Sequence, residues 1–252
     1  MSASPDWIVP AWPADGVGAL MTTRNGGVSA APYRNMNLGE RVADDPGAVA
    51  QNRARFADVI GAEPVYLHQV HGVRVVRLDA EATLRVAATV QADASVTTQP
   101  GLACCVQVAD CLPVLFAAPR GQGVAAAHAG WRGLAAGVLE ATLSELCAAA
   151  RCEPSQVHCW LGPCIGPRHF EVGVDVLRAF GVASAADPDF TPRAGGKWLA
   201  DLASLAGRRL RAAGVAGVHG GEWCTYAEED RFFSYRRDGV TGRMAAAIWM
   251  HA

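Results

Sequence analysis

The chain lacks the features expected of secreted, membrane-bound and nucleic-acid-binding proteins. Its 252 residues include 22 basic and 24 acidic side chains, so there is no strongly basic surface for nucleic acid and no excess charge for a membrane surface. Residues 1–16 contain neither a basic n-region nor an apolar h-region, and no uncharged apolar run is long enough to cross a bilayer. We therefore expect a cytoplasmic protein that binds neither membranes nor nucleic acids.

The cysteines lack the spacing of a disulfide framework or a zinc ribbon. There are eight of them, and no two are separated by two residues. A chain of this length does not need disulfides for stability, and cytosolic thiols stay reduced. We expect free thiols, most of them serving as small apolar side chains.

What the chain has is material for a large core and alternating strand and helix patterns. Apolar residues make up 51% of it and charged residues 18%. Apolar runs predict strands, leucine spacing predicts helices, and the glycines of 119–123 predict a hairpin turn. The predicted strands are 102–108, 114–118, 124–128, 157–161 and 245–249, and the predicted helices begin near 134 and cover 173–180 and 198–213.

Three short segments concentrate the reactive side chains: 68–72, 110–111 and 128–133. Imidazole and thiolate ligands suit zinc, and copper would also accept them. His68 and His71 are three residues apart, so in a strand only one of them would reach a common site with Cys111 and His128. Spacing does not choose between the two, and each residue also has an ordinary structural interpretation, as a buried thiol or a hydrogen-bonded imidazole.

Two glycine-containing segments present arginines that could bind an anion. Residues 130–133 are expected to open a helix, where backbone N–H groups and Arg132 could hold a phosphate. Residues 22–27 form a turn that presents Arg24, and Asn37 follows it. The 130–133 segment is explained equally well if Arg132 is simply a surface residue and the glycines allow close packing. The turn at Arg24 is by itself weak evidence of an anion-binding site.

Taken together, the motifs resemble those of the YfiH/laccase-domain family. TTRNGGVSAAPYRNMNLG, HQVHG, ADA, VADCLP, AHAGWRG, GPCIGPRHFEVG and FFSYRRDGVTGRMA occur in that order from residue 22 to the C-terminal region. The resemblance implies a compact α+β fold in which β-sheets are layered between helices, one domain over 1–252, and not a cupredoxin. It also implies phosphorolysis of adenosine, inosine and 5′-methylthioadenosine, with some adenosine deamination.

Residue by residue, the resemblance places the metal ligands and catalytic residues on His71, Cys111 and His128. With these donors we expect zinc, with copper possible, and we expect a monomer or homodimer; the resemblance implies a purine nucleoside and phosphate as partners. We expect Arg24, Asn37 and Arg132 to bind substrate, and Asp110 to orient a ligand or relay a proton.

Two details separate this chain from others that carry the family name. Arg168 and His169 stand where some members have a cysteine pair, and Cys164 is not expected to be catalytic. The older name of the family, polyphenol oxidase, does not suit this composition: multicopper oxidation needs about ten histidines, largely in HxH pairs. The chain has seven histidines and no HxH.

Two other functions remain compatible with the residues. In the first, Cys111 is the nucleophile of an amide hydrolase that edits peptidoglycan precursors, with His128 as its base. In the second, the protein is a non-catalytic metal-binding module.

Overall fold

Two β-sheets lie face to face in the computed structural model, which describes residues 4, 6–79, 90–182, 187–215 and 217–251. The first sheet has the spatial order β1 (Val17–Met21), β13 (Met244–Met250), β5 (Leu102–Val108) and β2 (Glu63–Val65). The second has the order β12 (Gly217–Gly220), β8 (His158–Leu161), β6 (Leu112–Ala117), β7 (Val124–Ala129), β4 (Ala94–Thr97) and β3 (Val75–Arg77). A small third sheet has the order β10 (Phe190–Arg193), β11 (Lys197–Ala200) and β9 (Glu171–Val172).

Helices cover the outer sides of the two large sheets. Those of the described residues are α1 (Pro46–Ile60), α2 (Trp131–Ala136), α3 (Val138–Ala150), α4 (Val174–Ala179), α5 (Leu202–Ala212) and α6 (Tyr235–Asp238). Helix α1 packs on the four-stranded sheet, and α3 and α5 pack on the six-stranded sheet. The resulting α-β-β-α layering confirms the predicted α+β fold.

Small side chains allow the two large sheets to pack closely. Ala126 on β7 and Ala246 on β13 are both fully buried in the cluster between the sheets, together with Val106, Leu115 and Ile248. Every residue of β7 is buried, so its sequence is apolar except at His128 and does not alternate with polar residues. Burial on both faces of β7 fixes the position of His128, which lies near the C-terminal end of the strand.

The predicted elements of the middle of the chain are confirmed. Strands β6 and β7 form an antiparallel hairpin closed by residues 119–123. The helix expected from about residue 134 exists but is divided, because Gly137 adopts φ 102° between α2 and α3. The strand predicted at 245–249 is an interior strand, paired with both β1 and β5.

The prediction of one helix over 198–213 is wrong at its start. Trp198 and Leu199 belong to β11, where they pair with Val172 and Glu171 of β9. The helix begins after Asp201, whose carboxylate accepts a hydrogen bond from Ser204 N at 2.9 Å and caps the first turn. Sequence periodicity extends through the strand because Leu199 and Leu202 happen to keep a helical spacing.

Within the part of the chain that the structure describes, no helix combines the length and apolar character that a bilayer crossing requires.

Candidate metal centre

His71, Cys111 and His128 lie together although they come from three distant segments. His71 lies in the turn before β3, Cys111 in the turn between β5 and β6, and His128 on β7. Their potential ligand atoms are all within 4.8 Å of one another, and Cys111 Sγ is 3.7 Å from His71 Nε2. In the described ranges this is the one group of three or more His, Cys, Asp or Glu side chains that could hold a metal ion.

His68 does not join this group. It forms an isolated parallel bridge with Gln91 and lines a separate depression of about 250 Å³. His71 reaches the group because its backbone adopts φ 61°, a left-handed conformation that is uncommon for a residue other than glycine. This turn geometry, which strand periodicity does not describe, is what separates the two histidines of the HQVH segment.

Asp93 connects the turn at His71 to the strand carrying His128. Its Oδ1 atom accepts hydrogen bonds from His71 N and His128 Nδ1, both at 2.8 Å. Its Oδ2 atom accepts from Val70 N at 3.1 Å and Gly72 N at 2.7 Å. The carboxylate is fully buried, and each of its two oxygens accepts two hydrogen bonds, so neither oxygen is left unpaired.

Glycines at the start of α2 allow that helix to approach the site. A Cβ atom on Gly130 would lie 2.6 Å from His71 Cδ2 and 3.1 Å from Cys111 Sγ. A Cβ atom on Gly133 would lie 2.8 Å from the carbonyl oxygen of Gly72. The glycines of the AHAGWRG motif therefore serve close packing against the two ligand-bearing turns.

The cysteine and the buried histidine shift each other's pKa in opposite directions. Burial raises the pKa of the Cys111 thiol, but the positive charge of His128 and hydrogen bonds from His71 and His128 outweigh it and lower the pKa to about 6. Burial lowers the pKa of His128, whereas the Cys111 thiolate and the Asp93 carboxylate raise it to about 9. Each of the two groups therefore stabilises the charged form of the other.

Asp110 supports the turn that presents Cys111. Its Oδ1 accepts from Thr225 Oγ1 at 2.7 Å and its Oδ2 from Arg236 N at 2.6 Å. Its backbone adopts φ 91°, and its carbonyl oxygen accepts from Ile165 N at 2.9 Å. Both carboxylate oxygens thus bind structural donors, and a role in relaying protons stays a prediction.

The three candidate ligands open into a cavity of about 450 Å³, called here the histidine cavity. Two arginines, Arg41 and Arg243, line it, and Tyr235, which is 60% exposed, stands at its rim. Leu67, Val42, Val108 and Ala109 form its apolar wall. The cavity therefore combines metal-binding donors, cationic groups and an apolar surface.

Asn37 holds part of this wall in place. Its Oδ1 accepts from Gly39 N at 2.9 Å and Arg243 N at 2.8 Å, and its Nδ2 donates to Asp44 Oδ2 at 2.8 Å. Asn37 is fully buried and is not among the residues that line the histidine cavity. The amide thus binds the backbone of two residues that do line it.

The two arginines predicted to bind phosphate lie outside the lining of the histidine cavity. Arg24 donates to the carbonyl oxygens of Arg34 and Glu229, and its guanidinium lies 4.9 Å from the centre of the Phe233 ring. Arg132 is exposed and lies over its neighbour Trp131, with 4.3 Å between the guanidinium carbon and the ring centre. Arg132 is the second residue of α2, which has six residues.

Sequence reasoning missed Asp93, Arg41 and Arg243. A signal for Asp93 was present, because an acidic residue between Ala92 and Ala94 at the start of an apolar strand must find buried partners. Arg243 had no such signal, since its position depends on the pairing of β13 with β5 and on its hydrogen bond to Asn37.

The donor set fits a metal ion such as zinc. In a tetrahedral site with metal–sulfur and metal–nitrogen bonds of about 2.3 and 2.1 Å, the two donor atoms lie about 3.6 Å apart. Cys111 Sγ and His71 Nε2 are 3.7 Å apart, and the contact of His128 Nδ1 with Asp93 leaves Nε2 of that ring for a metal. Three protein ligands would leave a further position open, which is typical of catalytic zinc sites.

Comparisons with known proteins show similarity over almost the whole chain. A Pseudomonas aeruginosa protein named purine nucleoside phosphorylase is 50% identical over 97% of this chain and 98% of its own length. The Escherichia coli protein YfiH, also named a purine nucleoside phosphorylase, is 50% identical over 96% of this chain and 98% of its own length.

Solved structures of similar proteins have the same fold. The crystal structure of a Neisseria meningitidis protein superposes with a TM-score of 0.90 at 46% identity and covers 98% of this chain and all of that one. The structure of YlmD from Geobacillus stearothermophilus superposes with a TM-score of 0.87 at 32% identity, over 96% of this chain and 94% of that one. The family model described as multi-copper polyphenol oxidoreductase laccase matches residues 18–251, and the chain belongs to that family, together with YfiH.

Proposed function

We propose that this protein is a purine nucleoside phosphorylase that acts on adenosine, inosine and 5′-methylthioadenosine, with adenosine deamination as a second activity. The observation that carries the proposal is that His71, Cys111 and His128 converge on one cavity that also contains Arg41 and Arg243. The names of relatives at about 50% identity support the reaction class. The particular nucleosides and the deamination rest on the family resemblance.

The histidine cavity can accommodate both substrates of such a reaction. Its volume of about 450 Å³ lies within the usual range for small-molecule sites. The guanidiniums of Arg41 and Arg243 suit phosphate, because arginine donates two parallel hydrogen bonds to an oxyanion. Nη1 of Arg243 donates to the carbonyl oxygens of Thr241 and Gly242, so its Nη2 and Nε would bind the phosphate. Leu67, Val108 and the ring of Tyr235 offer the apolar surface that a purine needs.

In phosphorolysis, a phosphate oxygen bonds to the anomeric carbon while the bond from that carbon to the purine nitrogen breaks. The purine leaves with the bonding electron pair and takes up one proton, and the other product is ribose 1-phosphate. Because the transition state separates charge, Arg243 and Arg41 would contribute by holding phosphate in line with the breaking bond. His71, Cys111 and His128 would hold zinc, or copper, and zinc bound there would supply Lewis-acid chemistry.

Arg24, Asn37 and Arg132 remain predicted substrate-binding residues. Asn37 would act through Arg243, because its Oδ1 accepts a hydrogen bond from the backbone N–H of Arg243. Arg24 and Arg132 would require the substrate to extend beyond the histidine cavity. A cytoplasmic location, a monomer or homodimer, and a domain spanning 1–252 also remain predictions.

The proposal is tested by phosphate-dependent release of adenine from adenosine, with purified, zinc-loaded protein. We expect His71→Ala to abolish release, because it removes a donor atom from the cluster. His68→Ala is the matched control: it deletes the other histidine of the same segment, which lies outside the cluster, and should leave release unchanged. No release by the folded wild-type protein at any phosphate concentration would refute the phosphorylase.

One observation favours the amide hydrolase as a second candidate. Cys111 has a pKa of about 6 and lies beside His128, which is the arrangement of an activated thiol and its base. That function predicts activity that survives chelation and is lost on alkylation of Cys111 with iodoacetamide. A non-catalytic module predicts instead that chelation lowers the melting temperature while no nucleoside is consumed.

A further inference from the structure

The residue that touches both histidines of the cluster is Asp93, and the proposed reaction gives it no step. It lies immediately before β4, and its own backbone carbonyl accepts from His128 N at 2.7 Å. Its side chain is fully buried, so the carboxylate has no access to substrate. Whatever Asp93 contributes must act through the groups that it contacts.

The four hydrogen bonds that the Asp93 carboxylate accepts are of two kinds. Three come from consecutive backbone N–H groups, those of residues 70, 71 and 72, and together they hold the turn in which His71 has φ 61°. The fourth comes from His128 Nδ1 at 2.8 Å. A carboxylate is the side-chain group that offers acceptors at all of these positions and no donor.

The contact with His128 also selects which ring nitrogen is available for a metal. An ionised carboxylate can only accept a hydrogen bond, so His128 Nδ1 carries a proton. A metal can then bind this ring through Nε2 alone. Carboxylates that fix the orientation and tautomer of a metal-binding histidine in this way increase metal affinity in other proteins.

We propose that Asp93 is the positioning residue of the metal centre and that a single carboxylate sets both histidine ligands, one through the backbone of its turn and the other through its ring. This deepens the proposed function, because it rests on the metal site assigned there, but it does not depend on which substrate the site uses. Close contacts from Gly130 and Gly133 at the start of α2 also confine the His71 turn.

Asp93→Asn tests the proposal because asparagine has the same shape but replaces one acceptor oxygen with an N–H₂ group. In one orientation the amide nitrogen faces His71 N and His128 Nδ1, and in the other it faces Val70 N and Gly72 N. Either way two donors meet a donor, so the His71 turn must move, or the His128 ring must move or shift its proton to Nε2, the nitrogen that a metal would bind.

The experiment measures zinc affinity by competition with a chromogenic chelator, in the absence of nucleoside, for the wild-type protein, Asp93→Asn and Asp189→Asn. Asp189 is a matched control, because it is 4% exposed and binds Ser204 Oγ and Arg208 away from the cluster. We expect Asp93→Asn to lower zinc affinity by about 10- to 100-fold and Asp189→Asn to leave it unchanged.

Cobalt(II) provides a second measurement, because its absorption spectrum reports the number and type of ligands. We expect Asp93→Asn to weaken or shift the thiolate and ligand-field bands, while the melting temperatures of metal-free Asp93→Asn and Asp189→Asn fall by similar amounts. Wild-type zinc affinity and an unchanged cobalt spectrum in Asp93→Asn would overturn the proposal. A wild-type protein that binds zinc tightly but never consumes a nucleoside would refute the phosphorylase and leave the role of Asp93 standing.

Discussion

Two cavities of similar size differ in what their residues do. The histidine cavity has a volume of about 450 Å³, and the second cavity, lined by Cys164, His169, Arg211 and Cys224 among others, has about 490 Å³. Both have cysteine, histidine and arginine in their walls. Asp110 accepts hydrogen bonds from Thr225 and Arg236, which are the chain neighbours of Cys224 in the second cavity and of Tyr235 in the histidine cavity.

In the second cavity the reactive side chains are engaged separately. Burial raises the pKa of Cys164 well above its usual value, and Cys224 Sγ accepts from the backbone of Gly166 at 3.2 Å. His169 stacks on Tyr226, with 4.5 Å between ring centres. In the histidine cavity, by contrast, the ligand atoms face one point. Convergence of donor atoms, and not volume or residue type, makes the smaller cavity the candidate site.

The largest expected difference between the cavities comes from their cysteines. Cys111→Ala removes a ligand and the thiolate, so we expect loss of stoichiometric zinc binding and a fall in adenine release of about 100-fold or more. Cys164→Ala should retain both zinc and activity within about twofold, since it removes only a buried thiol. Zinc content and adenine release are measured for both proteins. Metal and full phosphorolysis in Cys111→Ala would contradict the proposed mechanism.

The arginines give a smaller contrast. Arg243→Lys keeps the positive charge but loses the planar pair of donors, so we expect the KM for phosphate to rise about tenfold with zinc affinity unchanged. Arg211→Lys, in the wall of the second cavity, should leave that KM unaltered. Steady-state rates at varied phosphate concentration provide the comparison. Equal effects from the two changes would place the phosphate elsewhere, with Arg24 and Arg132 the next residues to vary.

The smallest effects are expected at two glycines. Gly130→Ala would place a methyl group 2.6 Å from His71 Cδ2, so we expect zinc affinity to fall about fivefold as that ring moves. Gly207 lies within α5, and the Cβ atom added by Gly207→Ala would contact only the flexible end of the Arg211 side chain, at 3.1 Å. This substitution should raise the free energy of unfolding by about 0.5–1 kcal/mol, because alanine restricts the unfolded chain. Zinc titration and thermal unfolding distinguish the two, and a zinc affinity unaffected by Gly130→Ala would show that the His71 turn tolerates displacement.

Sequence patterns predicted the buried strands well and the element boundaries less well. Strands such as β5 and β7 were evident because nearly continuous burial produces apolar runs with a single polar residue, Gln107 or His128. The start of α5 was misplaced because Leu199 continues the helical spacing into β11, whose partners in β9 are 26 and 28 residues earlier in the chain. The hairpin of β11 with β10 is local, but the pairing with β9 leaves no local signal.

The candidate site shows the same division. Residue types made Cys111 and His128 candidates, and the family resemblance chose His71 over His68, but the physical basis of that choice is a left-handed backbone that only the assembled turn explains. Arg243 comes 206 residues after the side chain of Asn37, to which its backbone donates. Contacts across such separations become visible only when the sheets are assembled.

The hydrogen bonds of Asp93 also determine which positions of the ligand turn can change during sequence divergence. Three of its donors belong to the main chain, and backbone N–H groups are the same for every residue except proline. The side chain of Val70, which is 44% exposed, is therefore unconstrained by these contacts. Position 70 should accept most residues other than proline, so the segment next to a ligand can vary while the geometry of the ligand is inherited unchanged.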